Sequence, residues 1–480
     1  MFQYEIFKLR FVTGCGILCL KTEFWGGMAV YRDLTRGPIA RSLILFALPM
    51  MAGNLLQQFY NLADTLIVGR TLGARALAAV GSAYTLMTFL TSIFLGLSMG
   101  SGALFSIYRG RGDEASLRRG VFHALALILT VTLVLNIAVY AFLPQILAFL
   151  RVPADVLGGM REYLLVIFAG LLATSLYNYL ACLLRALGNS TVPLAFLAVS
   201  ALLNVGLDLL FVPGLGWGIS GAAWATVCAQ YVSAAGLALY VVAKCKDILP
   251  KCSDLHLDRG ILREIFSLSS LTCAQQSVMN FGILMVQGLV NSFGATVMAA
   301  FAAGVKIDTF AYLPVQDFGN AYSTFVAQNF GAGNRERIRE GTKRAFLLSA
   351  LFGCVISALV CALAGPLMRL FVEAGETAVI TAGVEYLRVE GAFYAGIGCL
   401  FLLYGYFRAV QRPGFSVVLT VVSLGTRVAL AYAFAAGFGA RGVWISIPIG
   451  WALADLIGLL KMRRTLAGEQ GQAACKGTAQ

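Results

Sequence analysis

Asp64, Asn204, Asp208 and Thr226 are polar side chains set in stretches of sequence that are otherwise almost wholly apolar. Asn54, Gln57, Asn61 and Asp64 are spaced three, four and three apart, which puts them on one face of a helix. Leu55, Leu56, Phe59, Leu62, Leu66 and Ile67 fill the positions around them. A polar side chain in such a helix is costly, so a stripe of them faces a cavity or a partner. Ser200, Asn204 and Asp208, each four apart, repeat the pattern in a later run, and Thr226 follows in the next. Counted along each helix at roughly 1.5 Å per residue, Asp64, Asn204, Asp208 and Thr226 reach one depth. Two carboxylates, an amide and a hydroxyl suit two purposes. They can wrap a dehydrated Na+ with hard oxygen ligands, or hold a proton between carboxyls that share one buried site. The residue types leave both open.

The second half of the chain offers other side chains. Gln276, Asn280, Gln287 and Asn291 make a polar stripe without a carboxylate, and Lys306, Asp308 and Asp317 share a run with Pro314. Gln57, Asn61, Asn280, Gln287, Lys306, Asp308 and Asp317 are therefore read as lining a substrate cleft, with Lys306 placed to pair with an Asp or with Glu390. Arg427 stands where Asn204 does in the first half, and Ala431 where Asp208 does. Ion or proton coupling is thus expected in one half only. Asp455 reads as a structural or helix-end residue. The two histidines, His123 and His256, are read as structural and as a loop residue, and the eleven cysteines as small apolar filler. They show no CxxC pair and no metal-like spacing, so neither a cofactor nor an enzyme active site is expected.

These residues must be held by elements the chain builds twice. Gly73-Ala74-Arg75-Ala76-Leu77-Ala78-Ala79 recurs 221 residues later as Gly294-Ala295-Thr296-Val297-Met298-Ala299-Ala300. Gly110-Arg111-Gly112-Asp113 recurs as Gly331-Ala332-Gly333-Asn334, and Leu184-Arg185-Ala186 as Phe407-Arg408-Ala409. Of 480 residues 59% are hydrophobic and only 12% charged, a composition suited to helices in hydrocarbon. Spans are predicted near 42–69, 79–107, 121–143, 161–182, 192–211 and 219–243, then 265–291, 297–320, 345–365, 387–407, 415–437 and 442–460. The fold class is all-α and integral to the membrane, with twelve helices in two six-helix lobes. Six is even, so the copies enter from the same side and are related by a pseudo-two-fold axis along the membrane normal. Residues 1–37 read as an N-terminal segment, 38–245 and 263–462 as the lobes, 246–262 as a linker and 463–480 as a tail.

Arginine and lysine crowd one set of connections (Arg109, Arg111, Arg118, Arg119; Lys244, Lys246, Lys251; Arg335, Arg337, Arg339), which places both termini in the cytoplasm of a plasma-membrane protein. The net charge of +13 follows from this bias, and no nucleic-acid partner is read from it. Phe11 to Leu20 is too short to span, and Met28 looks like a better start, so 1–27 are read as a start codon assigned too early.

The stretches from Pro49 through Gly69, from Leu184 through Thr226, from Val290 and Val305, and from Arg441 resemble the multidrug and toxic compound extrusion (MATE) family over roughly residues 38–462. The resemblance implies a secondary antiporter that expels organic, often cationic, compounds in exchange for Na+ or H+. It also implies that Asp64 is the ion-site residue of the first helix. The branch related to the DNA-damage-inducible (DinF-like) members adds Asn204, Asp208 and Thr226. Small-molecule substrate, coupling ion and lipid bilayer are the partners implied. Two lobes already make a complete cleft, so a monomer is the simpler expectation. A flippase for a lipid-linked precursor is the alternative reading; it would favour more cationic residues in the cleft than Lys306 and Arg427 supply.

Overall fold

The computed structural model describes residues 32–149, 154–373 and 375–477; the proposed mis-assigned start lies outside them. Among the described residues run twelve long helices: α1 Ile39–Gly73, α2 Arg75–Arg111, α3 Glu114–Ala141, α4 Val156–Ala186, α5 Thr191–Gly214, α6 Gly218–Lys244, α7 Arg259–Asn291, α8 Ala295–Gly331, α9 Arg335–Arg369, α10 formed by Thr377–Gly391 and Tyr394–Ala409, α11 Pro413–Phe438 and α12 Ala440–Leu466. The two parts of α10 meet at a 51° bend. Ten helices are singly long and apolar enough to cross a membrane, and α10 qualifies as a bent pair. α7 is the exception, because Gln275, Gln276, Asn280, Gln287 and Asn291 dilute its apolar surface.

The duplication is written into the backbone. Gly73 and Gly294 turn at φ of 81° and 93°, Gly112 and Gly333 both at 72°, and Gly218 and Gly439 at 62° and 57°. Each pair is 221 residues apart. A left-handed turn at these places lets one long helix stop and the next start at once, a conformation that glycine adopts without strain. At the next helix start Asp113 caps α3 by accepting from the Ser116 amide at 3.0 Å.

The helices pack as two lobes, α1–α6 and α7–α12, with one exchange between them. The basic-end part of α1 (Leu43, Phe46, Ala47, Met50) belongs to the apolar core of the second lobe. Conversely Ile261, Ile265 and Leu268 of α7 belong to that of the first. Each lobe thus sends the start of its leading helix into its partner. α1 also carries Pro49, which removes a helix hydrogen bond and provides a place to flex.

Candidate functional site

Asp64 lies nine residues from the far end of α1, Asn204 and Asp208 ten and six from that of α5, and Thr226 eight from that of α6. At 1.5 Å per residue all four sit about 9–15 Å below the far surface. The structure brings them together inside the first lobe. Asn204 Nδ2 donates to Thr226 Oγ1 at 3.3 Å, and Asp64 bears electrostatically on Asp208. The Tyr163 ring of α4 faces both carboxylates, and Tyr60 lies beside Asp64. Asp208 is fully buried and Asn204 is 2% exposed. Asp64 Oδ1, Asn204 Oδ1 and both carboxylate oxygens of Asp208 have no hydrogen-bond donor. Buried oxygens without donors are rare because each forfeits its hydration, and two carboxylates together compound the cost. A cation or a proton is what this arrangement lacks.

The residues read as a substrate cleft scatter. Gln57, Asn61 and Asn280 are half-buried on α1 and α7. Gln287 donates to Asn291 on its own helix at 2.8 Å. Asp317 is buried between the lobes, where Asn54 Nδ2 donates to both its oxygens at 2.7 and 2.8 Å and Arg185 of α4 adds its charge. Asn54, read as the start of the cavity stripe, is a tie to α8, 263 residues away. Asp308 turns into the second lobe, 7% exposed, beside Glu390 and Arg427. The expected pairing of Lys306 is not formed: its side chain is exposed and, among the described residues, no ion pair includes it. One position before Ile307, it points away from the interior that Asp308 enters, and Arg427 is the cation facing Glu390 instead.

Below Asn54 and Asp317 the lobes are sealed. A narrow crevice, with only about 10 Å³ open to the centre of a water molecule, lies between Met99, Gln275, Gln276, Gln316, Asn320, Phe401, Tyr404 and Arg408. Arg408 closes it, donating to Asn320 Oδ1 at 3.0 Å and Ser323 Oγ at 3.3 Å. Glycines then bring the backbones of opposite lobes together. A Cβ on Gly96 would lie 2.4 Å from Cys273 Cα, on Gly100 2.5 Å from Ser269 Cα, on Gly110 1.9 Å from Gln328 O, and on Gly331 2.1 Å from Ile107 O. In the far halves of the same helices Gly81 and Gly288 have nothing within 4 Å. Across the basic end runs the segment before α1. Leu34 is 1% exposed; its amide donates to Gln328 Oε1, and its carbonyl accepts from Asn329 and Arg337. Gln328 in turn donates to Ala186 O of the first lobe at 2.8 Å. These lobes are closed at the basic end, and no such backbone approach occurs at Gly81 or Gly288.

Of these parts, sequence spacing found the α1/α5/α6 cluster. It missed Arg185 and Arg408, whose only signal was the recurrence of Leu184-Arg185-Ala186 as Phe407-Arg408-Ala409, and it missed Gln316 and Asn320 as well.

Comparison with known proteins bears on the whole length. The signature of the MatE family matches residues 49–210 and again 271–433, one match in each lobe. The probable multidrug resistance protein YpnP of Bacillus subtilis is 29% identical over 438 residues, covering 90% of this chain and 96% of the relative. An FAD transporter of Shewanella oneidensis is 24% identical over 428 residues, 87% of this chain and 92% of that protein. A MOP superfamily transporter from Pyrococcus furiosus has the same fold at TM-score 0.86 and 23% identity, covering 90% of this chain and 97% of that one.

Proposed function

The chain belongs to the MatE family of multi-pass membrane transporters, and from that premise we propose that it is a secondary antiporter exporting small organic compounds in exchange for Na+ or H+. It works as a monomer in the plasma membrane with its basic end and both termini in the cytoplasm, which makes the described state outward-facing. The substrates are organic and amphipathic, with cations foremost. The observation that carries the reading is the set of donor-free buried oxygens on Asp64, Asn204 and Asp208.

α1 is the part that couples the two events. Its far half brings Asp64 to the ion site, its middle ties Asn54 to Asp317, and its first turns lie in the core of the other lobe. A Na+ or a proton entering between Asp64 and Asp208 offsets one of the two repelling carboxylate charges and draws the far half of α1 toward α5. The helix flexes at Pro49, the cleft wall moves, and substrate affinity on the outer side falls. Alternating access then needs the seal at the basic end to part.

The test is efflux of a fluorescent cationic dye from vesicles with Na+ and pH gradients imposed separately. Export driven by one gradient, and lost in Asp208→Asn that still folds, is the expected result and names the ion. Gradient-driven export retained by Asp208→Asn refutes the role of this cluster. No export under either gradient refutes the antiporter reading for such compounds.

A further inference from the structure

The second lobe has no counterpart of the Asn204/Asp208 pair, but it is not empty of chemistry. Asp308 of α8, Glu390 of α10 and Arg427 of α11 are all buried within it, 7%, 4% and 9% exposed. Asp308 is under the charges of both Glu390 and Arg427, and Glu390 under that of Arg427. From the helix ends, Asp308 and Glu390 are thirteen residues down and Arg427 eleven, or about 17–20 Å. Arg427 occupies the place in the repeat that Asn204 holds in the first lobe.

The surroundings are built around these groups. Gly304, one turn before Asp308, admits the Tyr386 ring: a Cβ there would lie 2.5 Å from Tyr386 Cδ1. Tyr386 packs edge-on against Phe301 and Trp444, which stack at 5.4 Å and form an aromatic floor. Gly450 of α12 lies against Arg427, with a Cβ there 3.4 Å from Arg427 Cβ. The groups facing the cluster are therefore Tyr312 from α8, Tyr386 and Tyr394 from α10, Cys361 from α9 beside Tyr394, and the neutral Trp444 from α12. Asp308 Oδ1, Glu390 Oε2, Tyr394 Oη and Arg427 Nε lack a hydrogen-bond partner of ordinary geometry.

The charges do not balance. Two ionised carboxylates against one guanidinium leave a net negative charge in a site shielded from water, which is strongly unfavourable. One added positive charge closes the account. Na+ is a poor choice, since Arg427 repels it and already occupies the carboxylates' cationic side. A proton needs no coordination shell. We propose that Asp308 and Glu390 form a second binding site of the transporter, selective for a proton over Na+ and independent of the Asp64/Asp208 cluster. On loading, a hydronium ion in the cleft gives up its proton and becomes water, an O–H bond forms with a lone pair of one carboxylate oxygen, and the pair holds that proton near Arg427. On unloading the O–H bond breaks, the electron pair returns to the carboxylate, and water carries the proton away.

The test is infrared spectroscopy of the full chain in lipid nanodiscs, reading the carbonyl stretch of protonated carboxylic acids as pH is varied. Asp64→Asn/Asp208→Asn is the background, which silences the first cluster whatever its role. The proposal expects a protonated-carboxyl band to persist there, to be unmoved by Na+, and to lose one carboxyl equivalent on adding Asp308→Asn or Glu390→Gln. A band in that background that neither substitution changes belongs to another residue such as Asp455 and overturns the proposal. So does a band that Na+ displaces, which makes the site a metal site. Either substitution alone carries the test if the other does not fold. Failure of the dye-efflux experiment leaves this result untouched.

Discussion

Gly110→Ala separates closure of the lobes from stability of the fold. The added methyl group would lie 1.9 Å from the Gln328 carbonyl oxygen, and carbon and oxygen approach no closer than about 3.3 Å. α2 and α8 must therefore move about 1.4 Å apart, and the obstacle is backbone, which cannot swing aside as a long side chain would. Overpacking of this kind costs about 1–3 kcal/mol, and here it falls on the sealed state alone because the contact joins opposite lobes. That corresponds to a roughly 5- to 150-fold shift of the equilibrium toward states open at the basic end. Within α2 itself alanine is the better helix former by about 1 kcal/mol, so the fold is not weakened. Hydrogen–deuterium exchange in nanodiscs would read the change as faster exchange around 107–112 and 328–334. Gly81→Ala is the control, since nothing lies within 4 Å of that glycine. Unchanged exchange along the seam in Gly110→Ala, or an equal effect from Gly81→Ala, would refute the argument. Gly331→Ala wedges the same seam, so the double variant should shift less than the sum of the singles.

Three further outcomes follow from the same geometry. Asn54→Leu leaves the Asp317 carboxylate buried between the lobes with Arg185 and Asn320 as its remaining partners; a cost of about 2–3 kcal/mol to the sealed state is expected, measured as the same exchange shift without a fall in helix content. Arg337→Ala removes three hydrogen bonds to the carbonyls of Leu34, Arg36 and Gly37, two of them exposed. Discounted for solvent, the loss is about 1 kcal/mol, and limited proteolysis near residue 34 should accelerate severalfold. Between α3 and the linker, Arg118 and Arg119 pair with Asp254 and Asp258 at 3.1 and 2.8 Å. The Lys251 amide above all holds the Asp254 carboxyl below the usual carboxylate range, and the Ile261 amide does the same for Asp258. A depressed carboxyl lends stability that is present above its ordinary pKa and lost as pH falls through the folded value. Protection of the 251–261 amides, taken as exchange relative to the intrinsic base-catalysed rate at each pH, should therefore stay high through neutral pH and fall only on acidification, and a fall on alkalinisation would contradict this.

What the sequence made legible was governed by local rules. All the long helices but α7 follow from apolar length, and the left-handed turns at Gly73/Gly294, Gly112/Gly333 and Gly218/Gly439 follow from the 221-residue repeat. The Asp64/Asn204/Asp208/Thr226 cluster could be read because its members lie at helical spacing and similar distances from helix ends. Side-chain partners across helices were not legible in this way. Nothing local tells Asn54 to choose Asp317, or sends Asp308 inward while Lys306, two residues earlier, stays out. His123 shows the same limit: its structural role was expected, but not that Nε2 accepts the Asp258 amide at 3.0 Å while Nδ1–H donates to Arg119 O, tying α3 to the linker. The second lobe follows from this distinction. Duplication preserved the features set by backbone geometry, which is why glycine positions match, whereas buried polar groups need only be satisfied as a set. Replacing Asn204's counterpart by Arg427 added a positive charge to the interior of that lobe, and Asp308 and Glu390 are the groups that answer it. An arginine there without those carboxylates would be a buried unpaired charge, so the three residues make sense only together, and Arg427→Ala should be more damaging than Asp308→Asn or Glu390→Gln.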